Sequence, residues 1–104
     1  MRIMGMISGT SLDGIDAAIV DFTVVGDRLT ATIEAAATIP YPERLQRELI
    51  GALPPAPVDF ARVCRLDTGV GQAFAAAAAR MLADRSPETD PVDAICTHGQ
   101  TVYH

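Results

Sequence analysis

Hydrophobic positions fall into short strand-like runs over roughly the first forty residues and into a helical period after them. Arg2 to Ile7 is a brief apolar run that ends in Ser-Gly, the form of a buried strand. Ile15 to Phe22 reads Ile-Asp-Ala-Ala-Ile-Val-Asp-Phe, β-branched and apolar with acids interspersed, which predicts a second strand. Gly26-Asp27 is a turn signal of the hairpin class, and Leu29 to Ile39 predicts a third strand stopped at Pro40. Connections this short make an antiparallel meander, because a parallel crossover needs about a dozen residues or more.

The character changes at Pro42. Leu45, Leu49, Ile50 and Leu53 share one face of a helix predicted over Pro42 to Leu53, with Pro42 pre-set for the first turn. Gly51 and Pro54-Pro55 mark its stop. A longer helical pattern runs from Val58 or Asp59 to about Asp84, with Phe60, Val63, Leu66, Val70, Phe74 and Met81 among its apolar positions. Gly69 and Gly71 inside it leave open whether it is one helix or two. The Ala73 to Ala79 run favours helix and close packing on a sheet. After a loop at Ser86 to Pro91, Val92 to Cys96 predicts a short buried strand leading into Thr97-His98-Gly99-Gln100-Thr101.

A three-stranded meander, then helices, then a further strand is the opening of a ribonuclease H-like α/β lobe. A Rossmann unit would begin strand–helix–strand. The pattern stops at His104 in mid-course, so residues 1–104 are read as a single partial domain, the first part of an N-terminal lobe.

Composition narrows the partners. Hydrophobic residues make up 49% of the chain and aromatic ones only 5%, so the core is of small aliphatic side chains, which suits α/β layers. The net charge is -5 and every basic side chain except the two histidines is Arg, a usage that reflects composition rather than function. An acidic, dispersed balance argues against nucleic acid and against an anionic membrane surface. Arg44, Arg47, Arg62 and Arg65 are spaced for solvated helix faces, and Asp59 and Asp67 for capping or solvating helices. Cys64 and Cys96, far apart in apolar settings, predict two buried free thiols of a reduced cytosolic protein. The apolar run before Ser8 is too short for a signal peptide or a membrane span, so a soluble, cytoplasmic protein is expected.

The candidate chemistry begins at Ser8-Gly9-Thr10-Ser11-Leu12-Asp13-Gly14, between the first two strands. Phosphate groups need several donors converging in a small space. Gly9 and Gly14 let the backbone fold tightly and approach a ligand, and Ser8, Thr10 and Ser11 add hydroxyl donors. Asp13 and Asp16 have the wrong charge for direct contact, but a carboxylate beside phosphate can hold Mg²⁺ through water. A Walker A loop would need Lys after its second Gly, where this chain has Ile15. The dinucleotide fingerprint lacks its glycine spacing, and Ser8 is one place too late for a nucleophile elbow. A plain hairpin turn, in which Gly, Ser and Asp are common for conformational reasons, is equally compatible with these residues. Cys96, His98 and His104 fall short of the ligand set of a structural zinc site, so no metal-ligating protein cluster is predicted.

Two segments read together go further. Gly5-Met6-Ile7-Ser8-Gly9-Thr10-Ser11-Leu12-Asp13-Gly14-Ile15-Asp16 resembles the first motif of the anhydro-N-acetylmuramic acid kinases. Asp93-Ala94-Ile95-Cys96-Thr97-His98-Gly99-Gln100-Thr101-Val102-Tyr103-His104 resembles the second, a strand running into His-Gly-Gln-Thr and a later His. Two long motifs in the family's order make the resemblance specific. It spans the whole chain, which matches only the first part of the family's length.

The resemblance implies two ribonuclease H-like lobes, as in actin and the sugar kinases, with ATP in the cleft. It implies water attack on the internal 1,6-anhydro bond of an amino sugar while ATP, with Mg²⁺, phosphorylates the 6-oxygen. The product is N-acetylmuramic acid 6-phosphate, in the recycling of cell-wall peptidoglycan. Gly9, Thr10, Ser11, Leu12, Asp13, Gly14, Ile15 and Asp16 would then bind ATP phosphates, and His98, Gln100 and Thr101 would lie near the sugar. No catalytic residue is expected within the chain, because the water-activating carboxylate belongs beyond His104. A homodimer is implied for the full-length form. Cys96 departs from the family at a place where a small residue such as Gly is usual. If the chain is the whole molecule, the expectation is instead a non-catalytic α/β fragment that at most binds phosphate or a partner.

Overall fold

Alternation along the first strand sets what packs on it. In the computed structural model, which describes residues 1–103, β1 (Arg2–Ser8) buries Met4, Met6 and Ser8 and leaves Gly5 and Ile7 exposed. β2 (Gly14–Val25) runs antiparallel to it, with Ile19 opposite Met4 and Ala17 opposite Met6, so both strands bury the same face. β3 (Arg28–Pro40) returns antiparallel to β2 after Gly26-Asp27, with Gly26 in the left-handed region (φ 64°) that a tight hairpin requires. The meander is as the pattern predicts, but β2 and β3 extend to the hairpin itself, beyond the apolar stretch that signals them.

β4 (Ala94–Gln100) lies parallel to β1 and gives the order β3-β2-β1-β4. It starts and ends later than the predicted Val92 to Cys96. The cause is Arg2, whose N–H donates to the Asp93 carboxylate at 2.7 Å while the Asp93 N–H donates back to the Arg2 carbonyl at 2.8 Å. Val92 is left to pack half-buried against the core, and His98, Gly99 and Gln100 become strand residues. Thr97 pairs with Met6 and Gln100 with Ser8, so β4 advances three residues while β1 advances two. Gly99 takes a positive φ (81°) in this bulge.

α1 (Glu43–Ile50) and α2 (Phe60–Ala83) contribute Leu49, Leu66, Phe74, Ala77, Ala78 and Met81 to the core with the buried sheet face. α1 is shorter than predicted: Pro42 precedes it as N-cap, and Gly51 caps its C-terminus, so Ala52 and Leu53 fall in the turn beyond. α2 passes unbroken through Gly69 and Gly71, which settles the open alternative as one helix. At Gly69 a Cβ would stand 3.0 Å from the Leu45 Cδ1, so the missing side chain lets α1 and α2 close together. Asp59 caps α2 by accepting from the Arg62 N–H at 2.7 Å.

Two expectations are corrected. Cys64 and Cys96 are free but exposed. Cys64 sits on the side of α2 away from Leu66, and Cys96 pairs with Gly5 on the uncovered face of the sheet. Arg62 is not solvated like Arg44, Arg47 and Arg65: half-buried, it donates from Nη2 to the Glu48 carbonyl at 3.1 Å and ties the start of α2 to α1.

The end of the sheet away from the first turn is closed by charge. Glu34 is the extra residue where Ile19 pairs with Ala35 but Val20 with Ile33. Its carboxylate accepts from Arg85 Nε and from Arg2 Nε, both at 2.7 Å. Arg85 first, then Arg2, holds the Glu34 carboxyl below the usual carboxylate range. A mixed four-stranded sheet carrying two helices is the α/β architecture expected for the first part of a ribonuclease H-like lobe. Among the described residues no helix is long and apolar enough to cross a membrane.

Candidate functional site

The β1–β2 turn, Gly9 to Asp13, is anchored by a side chain rather than by its glycines. Leu12 is buried to 1% exposure and takes a positive φ of 56°, a conformation an L-residue adopts only when its surroundings hold it there. Gly9 has a negative φ and open space around it. Gly14 is needed for a different reason from the close approach of a ligand: a Cβ there would stand 2.7 Å from the Ile39 carbonyl oxygen of β3. Leu12 and Ile15 place their side chains in the core, so only their backbone can face a ligand. Thr10, Ser11, Asp13 and Asp16 are exposed.

Ser8, expected among the donors, turns inward. It is fully buried, and its hydroxyl lies 2.7 Å from the Gly14 carbonyl and 2.6 Å from Gln100 Oε1. One hydroxyl proton serves one of these acceptors at a time. Gln100 Oε1 also accepts from the Tyr41 hydroxyl at 3.0 Å, and Gln100 Nε2 donates to the Gly9 and Thr101 carbonyls at 2.7 and 2.8 Å. Reversing the amide would set its oxygen against two carbonyl oxygens, so the chemistry fixes its orientation. Gln100 thus joins the end of β4 to the turn, bringing together the two segments that stood apart in the sequence.

Two residues of this assembly were not singled out by sequence reasoning. Burial pushes the Tyr41 phenol up from its ordinary value, against the opposing effect of the Ser8 hydroxyl, so Tyr41 remains a donor. Its one signal is an aromatic residue set between Pro40 and Pro42, where strand gives way to helix. Gln46 of α1 donates from Nε2 to the Leu12 carbonyl at 2.9 Å. Its signal is a polar residue three positions before buried Leu49, on the inner face of the helix.

The carboxylates are partly committed. Asp13 Oδ1 accepts from the Ser11 hydroxyl at 2.8 Å and Asp16 Oδ1 from the Thr38 hydroxyl at 2.6 Å. The second oxygen of each has no partner among the described residues. No cluster of three or more His, Cys, Asp or Glu able to hold a metal occurs among the described residues, and His104 lies outside them.

A groove of about 830 Å³ opens beside the end of β4, walled by Val63, Leu66 and Val70 of α2 and by His98, Gln100 and Tyr103. Its size is that of a small-molecule site, apolar with a few polar groups. His98 is exposed on this wall, and Thr101 is half-buried just after the strand.

Comparison with known proteins agrees with the paired motifs. The family model described as anhydro-N-acetylmuramic acid kinase matches residues 1–104. The chain is 50% identical over 104 residues to the anhydro-N-acetylmuramic acid kinase of Streptomyces avermitilis, covering 100% of this chain and 27% of that protein. With the enzyme of the same name from Rhodococcus erythropolis it shares 42% over 104 residues, 100% of this chain and 26% of that one. With that from Salinibacter ruber it shares 40% over 102 residues, 98% of this chain and 26% of that one. The chain therefore spans about a quarter of the length of these relatives.

Proposed function

The chain belongs to the anhydro-N-acetylmuramic acid kinase family, and on that premise we propose that it forms the phosphate-binding part of an ATP-dependent sugar kinase. The reaction proposed is hydrolytic opening of the anhydro ring of 1,6-anhydro-N-acetylmuramic acid coupled to phosphorylation of the freed 6-oxygen. The product, N-acetylmuramic acid 6-phosphate, fits cytoplasmic recycling of peptidoglycan. The observation that carries the reading is the Gln100 amide, which fastens the turn Gly9 to Asp13 to the mouth of the groove. Phosphoryl donor and sugar acceptor must meet at such a junction.

Phosphoryl transfer asks for positioning and charge neutralisation more than for covalent help. Backbone N–H groups of the turn, with the Thr10 and Ser11 hydroxyls, would receive the ATP phosphates. Asp13 and Asp16, each with one carboxylate oxygen uncommitted, fit a hydrated Mg²⁺. Magnesium, when bound, supplies positive charge against the phosphates. Apolar walls and His98 would receive the sugar, beside the end of β4 that carries Gln100 and Thr101. The carboxylate that activates water is placed outside residues 1–104, so these residues alone turn over no sugar. A homodimer is proposed for a protein of the relatives' length.

The test is to mix the protein, at the length of its relatives, with Mg-ATP and 1,6-anhydro-N-acetylmuramic acid. ADP and N-acetylmuramic acid 6-phosphate, identified by mass, are expected in equal amounts. ADP release without a sugar 6-phosphate, or no sugar-dependent ADP at all, overturns the reading.

A further inference from the structure

We propose that Gln46 and Gln100 are positioning residues of the turn, whose side-chain amides hold two backbone carbonyls inward and so turn two N–H groups outward to bound phosphate. Gln100 Nε2 donates to the Gly9 carbonyl at 2.7 Å, and Gln46 Nε2 to the Leu12 carbonyl at 2.9 Å. In a trans peptide the C=O and the following N–H point in opposite directions. Fixing the Gly9 carbonyl therefore aims the Thr10 N–H away from Gln100, and fixing the Leu12 carbonyl aims the Asp13 N–H away from Gln46. Thr10 and Asp13 are both exposed, and neither N–H has a hydrogen-bond partner among the described residues. The Thr10 and Asp13 N–H groups, at either end of one short turn, are thereby left free to donate to an anion.

The two glutamines reach the turn from different elements, α1 and β4. Neither has an amide oriented by chance. Gln46 faces an acceptor and must present nitrogen, while both Nε2 hydrogens of Gln100 are spent on carbonyls and its Oε1 faces the Tyr41 and Ser8 hydroxyls. With both amide hydrogens spent within the chain, Gln100 acts on substrate through the turn rather than by donating to sugar. This inference rests on the phosphate reading of the turn.

The experiment uses the kinase at the length of its relatives, with Mg-ATP and the anhydro sugar as probes. Gln46→Leu removes a donor at a half-buried surface position and should raise KM for ATP by about tenfold, with KM for the sugar changed less than about twofold. Gln46→Lys, which restores a donor to the Leu12 carbonyl, should recover most of that loss. Gln100→Glu keeps the acceptor that faces Ser8 and Tyr41 but sets a carboxylate against the Gly9 and Thr101 carbonyls. It should raise KM for ATP likewise, with recovery as pH falls and the carboxyl regains a proton to donate. Amide resonances of Thr10 and Asp13 should shift on adding Mg-ATP to the parent and shift less in the variants. If the parent shows neither the shift nor ATP turnover, the phosphate reading itself falls. If the parent behaves as expected but the folded variants keep their KM for ATP, or Gln100→Glu changes only the KM for sugar, the positioning role is refuted.

Discussion

Replacing Gly14 by Ala puts one carbon into the tightest backbone contact of the sheet. The added Cβ would lie 2.7 Å from the Ile39 carbonyl oxygen and 3.1 Å from the Ile39 carbon and the Pro40 Cα. Ordinary contact begins at 3.4 Å, so the oxygen must retreat by about 0.7 Å (3.4 minus 2.7). All three neighbours are backbone, and no rotamer change relieves them. Overpacking of this kind costs about 1–3 kcal/mol. The cheapest escape is for the end of β3 to swing off β2, releasing the Gly14–Pro40 and Ile15–Ile39 pairs. That movement also draws Tyr41 away from Gln100, which favours the upper half of the range. Gly5→Ala is the matched control, because a Cβ there has nothing within 4 Å. Ala is the better strand residue by about 0.5–1 kcal/mol, so this variant should hold or gain stability. Urea unfolding of this chain followed by circular dichroism reads both, as midpoint shifts at unchanged slope. A loss below about 0.5 kcal/mol for Gly14→Ala, or an equal loss for Gly5→Ala, refutes the argument from the β3 contact.

Tyr41→Phe removes one of two donors to Gln100 Oε1 and should cost about 0.5–1.5 kcal/mol in the same assay; an unchanged midpoint would show that the hydroxyl carries no net stability. Glu34, with its carboxyl held low by Arg85 and Arg2, contributes stability that is complete above the unfolded value of about 4.3 and is lost as pH falls through the lower folded value. Urea midpoints taken down the acid range should therefore fall more steeply for the parent than for Glu34→Gln, and parallel curves would remove Glu34 from the account. Cys64 and Cys96 should both react with a thiol reagent in native buffer, and protection of either until denaturant is added contradicts its exposure.

Most of the sheet can be read locally. Alternating burial in β1 and β2 and the Gly26-Asp27 turn act over neighbouring residues, and the meander follows from them. What misled was decided at a distance. The apolar Val92 looks like a strand residue, yet it packs against the core while β4 begins only after Asp93 is caught by Arg2, 91 positions earlier. Cys96 looks buried by its neighbours, but its face is set by pairing with Gly5. In the turn, composition marks the place and misassigns the parts. Leu12 takes the left-handed conformation that glycine usually supplies, because its side chain gains more from the core than its backbone loses. Ser8 looks like a ligand donor and is spent on Gly14 and Gln100. Long-range polar contacts such as those of Gln46 and Tyr41 carry no periodicity and so leave little trace in a single sequence.

The bulge in β4 also makes the site depend on parity. If the same residues paired regularly beyond Thr97, with no bulge, Ser8 would face Gly99 and the Gln100 side chain would pass to the opposite face of the sheet. Removing one residue between Thr97 and Gln100 would erase the bulge and leave Gln100 opposite Ser8. Removing one between Ala94 and Thr97, where the pairing with β1 is regular, is a different kind of lesion from removing one at Ser86 to Pro91. A shortened loop changes slack, whereas a shortened strand reverses which side every later residue serves. Tolerance to insertion and deletion along this chain should follow odd and even as much as it follows burial.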